Sequence, residues 1–186
     1  MFKKNLLVGL TIIVTTLTIG GTLIPLNLAN AANINCAGVP ANTPCLGTNQ
    51  GDKMLGDDNS NFICGRGGND NIDLQGNPPG QNDGEESAAG GGGNDFISGG
   101  AGNDVIIGDG TGNPSDSCTG SNEHAGADRL SGGPGNDFLS QGDGFTDVSP
   151  DGNKDFLDCG PGNDHAFINT SVDGDVAVNC EVVSAG

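Results

Sequence analysis

The chain contains no tryptophan and no tyrosine, and phenylalanine supplies only seven of its 186 residues. A conventional core of bulky side chains is excluded for lack of material. Basic residues are almost as scarce: Lys and Arg number 6 against 24 Asp and Glu, a formal charge of -18. Such a chain repels nucleic acid and anionic membrane surfaces, and it attracts cations. H-E-x-x-H, G-x-S-x-G and G-x-x-x-x-G-K are all absent, which removes the usual metalloprotease, serine hydrolase and P-loop chemistries. No C-x-x-C pair occurs, which argues against zinc. The histidines, His124 and His165, occupy variable positions of a repeat and read as surface residues, not as a base or a ligand. The chain is read as non-catalytic.

What is abundant is glycine, 35 residues, far above the usual ~7%. Composition alone would suggest disorder, because little apolar burial opposes chain entropy. The acidic residues are not in a block, however; they recur at intervals. Two other features bound the class. Lys3 and Lys4, an apolar stretch over 6–24 and the small residues of Ala29-Asn30-Ala31 predict a secretory leader over 1–31, cleaved before Ala32. Retention of the same stretch as a membrane anchor is the alternative. Cleavage would take the charge from -18 to -20, since the leader holds two lysines and no acid, and would leave no membrane contact. All six cysteines follow that leader, which predicts three disulfides in an extracellular, secreted chain. Six cysteines allow fifteen pairings. Cys36–Cys45 and Cys159–Cys180 are favoured because each staples one end of the array, which leaves Cys64 with Cys118.

Gly-Asn-Asp recurs at Gly68, Gly93, Gly102, Gly135 and Gly162, usually with an aliphatic residue two positions beyond the Asp. Extended outward, this is a nine-residue frame, Gly-Gly-x-Gly-x-Asp-x-aliphatic-x. Frames 90–98, 99–107 and 132–140 are good copies; 47–55, 65–73, 123–131, 150–158 and 159–167 are worn ones. Asn61, Glu86 and Thr146 stand in the acid position of three others. The glycines permit positive φ and close approach of neighbouring backbones, so positions one to six form a turn. Positions seven to nine form a short strand whose middle residue points inward. Met54, Ile63, Ile72, Ile97, Ile106, Leu130, Leu139, Val148 and Leu157 would build a thin ladder core. The expected organisation is an N-terminal cap at 32–46, repeats over 47–167 and a C-terminal cap at 168–186. Insertions are expected at 74–80 and 108–122, and an unbroken run of frames from 123 to 167.

The frame Gly99-Gly100-Ala101-Gly102-Asn103-Asp104-Val105-Ile106-Ile107 resembles the hemolysin-type (RTX) calcium-binding nonapeptide. The resemblance implies an all-β chain, a parallel β-roll or right-handed β-solenoid, with two frames to each coil. It implies calcium as the cofactor, held between turns by position-six carboxylates and backbone carbonyls. On this chain those carboxylates are Asp52, Asp70, Asp95, Asp104, Asp128, Asp137, Asp155 and Asp164. Eighteen-residue spacing would pair Asp52 with Asp70 and Asp137 with Asp155, and would stack Asp128, Thr146 and Asp164 on the other edge. Roughly four to six ions, with about six to eight oxygen ligands each, are expected. The chain departs from the family's toxins and proteases in its N-terminal leader and its cysteines. It looks like a small stand-alone exported form.

Three other readings compete. Asp147 to Gly152 followed by Asp158 is similar to an EF-hand loop, but its flanks do not read as helices. Turns without metal would explain Gly and Asn-Asp, but stacked carboxylates repel unless a cation lies between them. The roll could instead serve as a calcium-rigidified surface for adhesion. Phe62, Phe96, Phe138 and Phe156 all fall at position seven, and Phe138 and Phe156 are expected to share a face for self-association or a cell-surface partner.

Overall fold

The computed structural model describes residues 31–40, 43–57, 59–75, 84–110, 118, 126–142 and 150–186, with the backbone of two short strands nearer the N-terminus. Those strands, β1 (Thr16–Ile19) and β2 (Thr22–Pro25), pair antiparallel. Apart from Ala31, the rest of the expected leader lies outside the described residues.

From Asn33 onward the chain winds between two seven-stranded parallel sheets. The first holds β3 (Asn33–Asn35), β5 (Lys53–Leu55), β7 (Asn71–Asp73), β9 (Phe96–Ser98), β11 (Arg129–Ser131), β13 (Phe156–Asp158) and β15 (Val176–Val178). The second holds β4 (Cys45–Leu46), β6 (Phe62–Gly67), β8 (Ser87–Gly92), β10 (Val105–Ile107), β12 (Phe138–Ser140), β14 (His165–Ile168) and β16 (Val182–Ala185). Strand neighbours in each sheet are alternate strands in sequence, so one coil is strand, turn, strand, turn. This is a parallel β-roll.

The core follows from the two-residue side-chain period of a strand. Met54, Ile72, Ile97, Leu130 and Leu157 point inward from the first sheet. Ile63, Ala88, Ile106, Leu139 and Ala166 meet them from the second, and none of the ten is more than 1% exposed. Val148, expected in this ladder, lies outside the described residues. The core is thin, with little beyond this ladder besides Leu74, Ile168 and the end disulfides. Leu139→Ala is expected to cost about 2–5 kcal/mol, read from urea unfolding in the presence of calcium.

Three disulfides join Cys36–Cys45, Cys64–Cys118 and Cys159–Cys180. The first and last belong to the ends of the main core. The middle one packs with Ala89 and Ile107 in a second small cluster, with Phe62 against it.

The expected phenylalanine stripe is not formed. Phe138 is on the second sheet, in register with Val105 and His165. Phe156 is on the first, in register with Arg129, whose guanidinium sits 4.6 Å above the ring centre. The cause is the threading of the chain between them.

Candidate metal centre

The residue just before each strand is position six of the frame. Along the first sheet these residues are Asp52, Asp70, Asp95, Asp128, Asp155 and Asp175; along the second they are Asn61, Glu86, Asp104, Asp137, Asp164 and Glu181. Hydrogen bonds link most of them into two columns. In the first, the backbone N–H of Asp52 donates to Asp70 Oδ1 (2.6 Å), that of Asp70 to Asp95 Oδ1 (2.8 Å), and that of Asp95 to Asp128 Oδ1 (2.8 Å). The N–H of Asp128 continues to Asp155 Oδ1 (2.7 Å) and that of Asp155 to Asp175 Oδ1 (2.9 Å). In the second, Glu86 N–H donates to Asp104 Oδ1 (3.1 Å), Asp104 to Asp137 Oδ1 (2.9 Å), Asp137 to Asp164 Oδ1 (2.7 Å) and Asp164 to Glu181 Oε2 (2.8 Å).

The separations along the columns show how the chain is threaded. Asp52 and Asp70 are 18 residues apart, one clean coil. Asp70 and Asp95 are 25 apart, and Asp95 and Asp128 are 33 apart. Leu74 and Gly108 nevertheless stay in the ladder, because their N–H groups donate to Ser98 O and Ser140 O. The extra residues therefore enter after the first position of the turn; most of 74–80 and 108–122 lies outside the described residues.

Two expected stacks are corrected. Asp137 does not pair with Asp155, and Asp128 does not reach Asp164 through Thr146. Asp128 pairs with Asp155 and Asp137 with Asp164, each at a separation of 27. Among the described residues β12 on the second sheet is followed by β13 on the first. Gln141 keeps the ladder, donating its N–H to Phe167 O. Thr146 itself lies outside the described residues.

The columns are walled in. Asp70, Asp95, Asp104, Asp128, Asp137, Asp155 and Asp164 are each at most 3% exposed. One carboxylate oxygen of each takes the ladder hydrogen bond. In six of them, Asp70, Asp95, Asp128, Asp137, Asp155 and Asp164, the buried Oδ2 has no hydrogen-bond partner. The space it faces exists because the frame begins with glycine. A Cβ on Gly90 would stand 2.2 Å from Asp95 Oδ2, and one on Gly132 would stand 2.4 Å from Asp137 Oδ2.

Burial pushes these carboxyls upward, and column neighbours of the same sign add to it, against the opposing pull of the backbone N–H groups. Asp70, Asp137 and Asp155 rise to about 7, Asp95 to about 8 and Asp128 to about 10. Asp164 and Asp175 move the same way. A carboxyl raised on folding favours the fold when protonated and opposes it once ionised. Metal-free, the roll is therefore expected to hold this contribution in full below the unfolded carboxyl pKa of ~4 and to lose it as pH rises through the folded values of about 7 to 10. Thermal unfolding in chelator at several pH values checks this.

Three positions differ, and one of them is Asp175, whose Oδ1 accepts from Asp155 N–H (2.9 Å) and Oδ2 from Asn169 N–H (2.8 Å). Asn61 Nδ2 donates to the carbonyls of Asp57 and Asn59 in its own turn. Asp52 has both oxygens engaged: Oδ1 accepts from Ala32 N–H (2.7 Å), and Oδ2 from Thr48 N–H (2.6 Å) and Thr48 Oγ1 (2.9 Å). Among the described residues no three Asp, Glu, His or Cys side chains converge as a metal-holding group.

Asp175 and Glu181 escaped the sequence reading because they fall in the segment taken as a cap. That segment adds a strand to each sheet and a member to each column. Asp175-Val176-Ala177 does repeat the Asp-x-apolar signature, but Asp155 to Asp175 is 20 residues, out of phase with the frame.

The family described as RTX calcium-binding nonapeptide repeat (4 copies) matches residues 81–112 and 124–145. The chain thus carries such repeats in the middle of the roll, and the two columns run past the matched segments at both ends. No curated protein and no solved structure gives a significant match.

Proposed function

We propose that this is an exported, non-catalytic calcium-binding protein whose roll folds around several ions held between successive turns. The observation that carries the reading is the set of six buried Oδ2 atoms without a hydrogen-bond partner. A buried carboxylate oxygen with no donor is costly, and a divalent cation is the ligand that relieves it. Calcium suits the donor set, because it accepts carboxylates and backbone carbonyls together in a flexible shell. Asp70, Asp95, Asp104, Asp128, Asp137, Asp155 and Asp164 would supply the carboxylates. Asn61 supports the rest of the argument. Its amide donates to the carbonyls of positions two and four of its turn. With Asp at position six, the equivalent carbonyls and the carboxylate are all acceptors, and a cation satisfies them together.

Export is supported by the leader pattern and by three disulfides, which persist in oxidising compartments. A second reading uses the calcium-stiffened roll as a surface for a partner. It rests on Phe96, 43% exposed on the first sheet and in register with Arg129.

The ligand assignment is tested by Asp95→Asn combined with Asp128→Asn. Metal analysis after dialysis against calcium should show fewer ions per chain than the parent. Glu85→Gln, an exposed acid outside the columns, should leave the count unchanged. Equal counts in all three proteins would remove these carboxylates from the ligand set.

A further inference from the structure

Two of the exceptions in the columns fall at the N-terminal end of the roll; the third, Asp175, closes the other end, its Oδ1 and Oδ2 accepting from the N–H groups of Asp155 (2.9 Å) and Asn169 (2.8 Å). Asp52 is position six of the first frame on the first sheet, and Asn61 is position six of the next frame, on the second. In both, protein donors meet the acceptors of the turn. Thr48, at position two of its frame, directs its N–H and its hydroxyl at Asp52 Oδ2, at 2.6 and 2.9 Å. The corresponding oxygen of Asp70, one coil on, has no partner. Asn61 is 5% exposed, and its amide nitrogen bonds the carbonyls of Asp57 and Asn59. An amide N–H₂ carries two donors and no net charge, so it satisfies inward-facing carbonyls as a cation would and draws no counter-charge into the turn.

The same stretch is closed in other ways. The Cys36–Cys45 bridge forms a short loop, and both cysteines lie in the main core with Ile34, Met54 and Ile63. Asp57 Oδ2 accepts from Gly38 N–H (2.7 Å), which ties the second coil back to the first. Cys36 N–H donates to Leu55 O, and Gly47 N–H to Cys64 O. No ion is needed to complete any of these contacts.

We infer that residues 32–64 form a calcium-independent nucleus, in which Thr48 and the Asn61 amide stand where calcium stands in the later turns. The inference rests on the calcium reading proposed above and adds a division to it. From Asp70 to Asp164 the added coils need ions; before Asp70 the coils stand alone. The nucleus presents β5 and β6 as a template on which the following strands add as calcium arrives. Order therefore propagates from the N-terminal end, and that end stays folded when calcium is withdrawn.

Hydrogen exchange read by mass spectrometry on the disulfide-bonded chain tests this. In chelator, amides of 43–64 should exchange about 100-fold or more slowly than an unfolded chain, while those of 84–110 and 126–142 should exchange at nearly unfolded rates. With calcium all three segments should be protected. Asn61→Asp should bind one ion more than the parent and lose the protection of 43–64 in chelator. Should the variant fail to fold, the exchange pattern of the parent still decides. Uniform loss of protection in chelator would overturn the nucleus, as would an Asn61→Asp variant that folds without gaining an ion. Failure of the calcium reading itself looks different: the parent would bind no calcium, and protection would not respond to it anywhere.

Discussion

Stripped of calcium at neutral pH, the chain is expected to lose most of its β-sheet circular dichroism and to regain it when calcium is restored. The magnitude follows from the columns. A buried acceptor left unmet costs about 1–3 kcal/mol, and more when charged. Six such oxygens are present, so their total rivals the ~5–15 kcal/mol by which a domain is ordinarily stable. The core is a thin ladder of small and medium-sized side chains and cannot absorb that penalty. Calcium reverses it by mass action, because it binds the folded turns and not the open chain. The signal left in chelator should come from residues 32–64. A metal-free chain with undiminished circular dichroism at neutral pH would contradict this energetics.

Gly135→Ala is expected to be nearly as damaging, although it removes no carboxylate. A Cβ at that site would lie 1.4 Å from Gly102 O, and the equivalent change at Gly162 would place it 1.5 Å from Gly135 O. Both obstacles are backbone, in turns stacked directly on one another, so neither can swing aside. The cost should reach about 3 kcal/mol or more, with weaker calcium binding because the turn carbonyls are pushed apart. Gly152→Ala is the control. It meets nothing within 4 Å and pays only for its positive φ of 89°, about 1–2 kcal/mol. Calcium-dependent melting of the two variants separates crowding from backbone strain. Equal losses would mean that turn stacking is looser than the structure shows.

The unit of the fold was legible because its chemistry is local. Glycine, Asp and an aliphatic residue at fixed offsets define a turn, a ligand position and an inward side chain, and Asp52 and Asp70 pair at one coil as their spacing suggests. The threading was not legible for a physical reason. An interruption as long as a frame leaves the sequence in phase while the chain crosses to the other sheet, so Gln141–Ser149 looked like one more repeat. It exchanged the partners of Asp128, Asp137, Asp155 and Asp164 and separated Phe138 from Phe156. The last coil was missed for the opposite reason, since a small offset hid Asp175 and Glu181 from a strict period. The roles of Thr48 and Asn61 depend on where donors point within a turn. Composition shows a worn repeat there; only the geometry shows a turn completed by its own side chains.

Calorimetric titration of the disulfide-bonded chain with calcium, against magnesium as a competitor, tests the central claim most directly. The account predicts several calcium ions per chain, a weaker response to magnesium, and a stoichiometry that falls when Asp95 and Asp128 are changed together to Asn. Absence of calcium binding, with an unchanged fold in chelator, would contradict it.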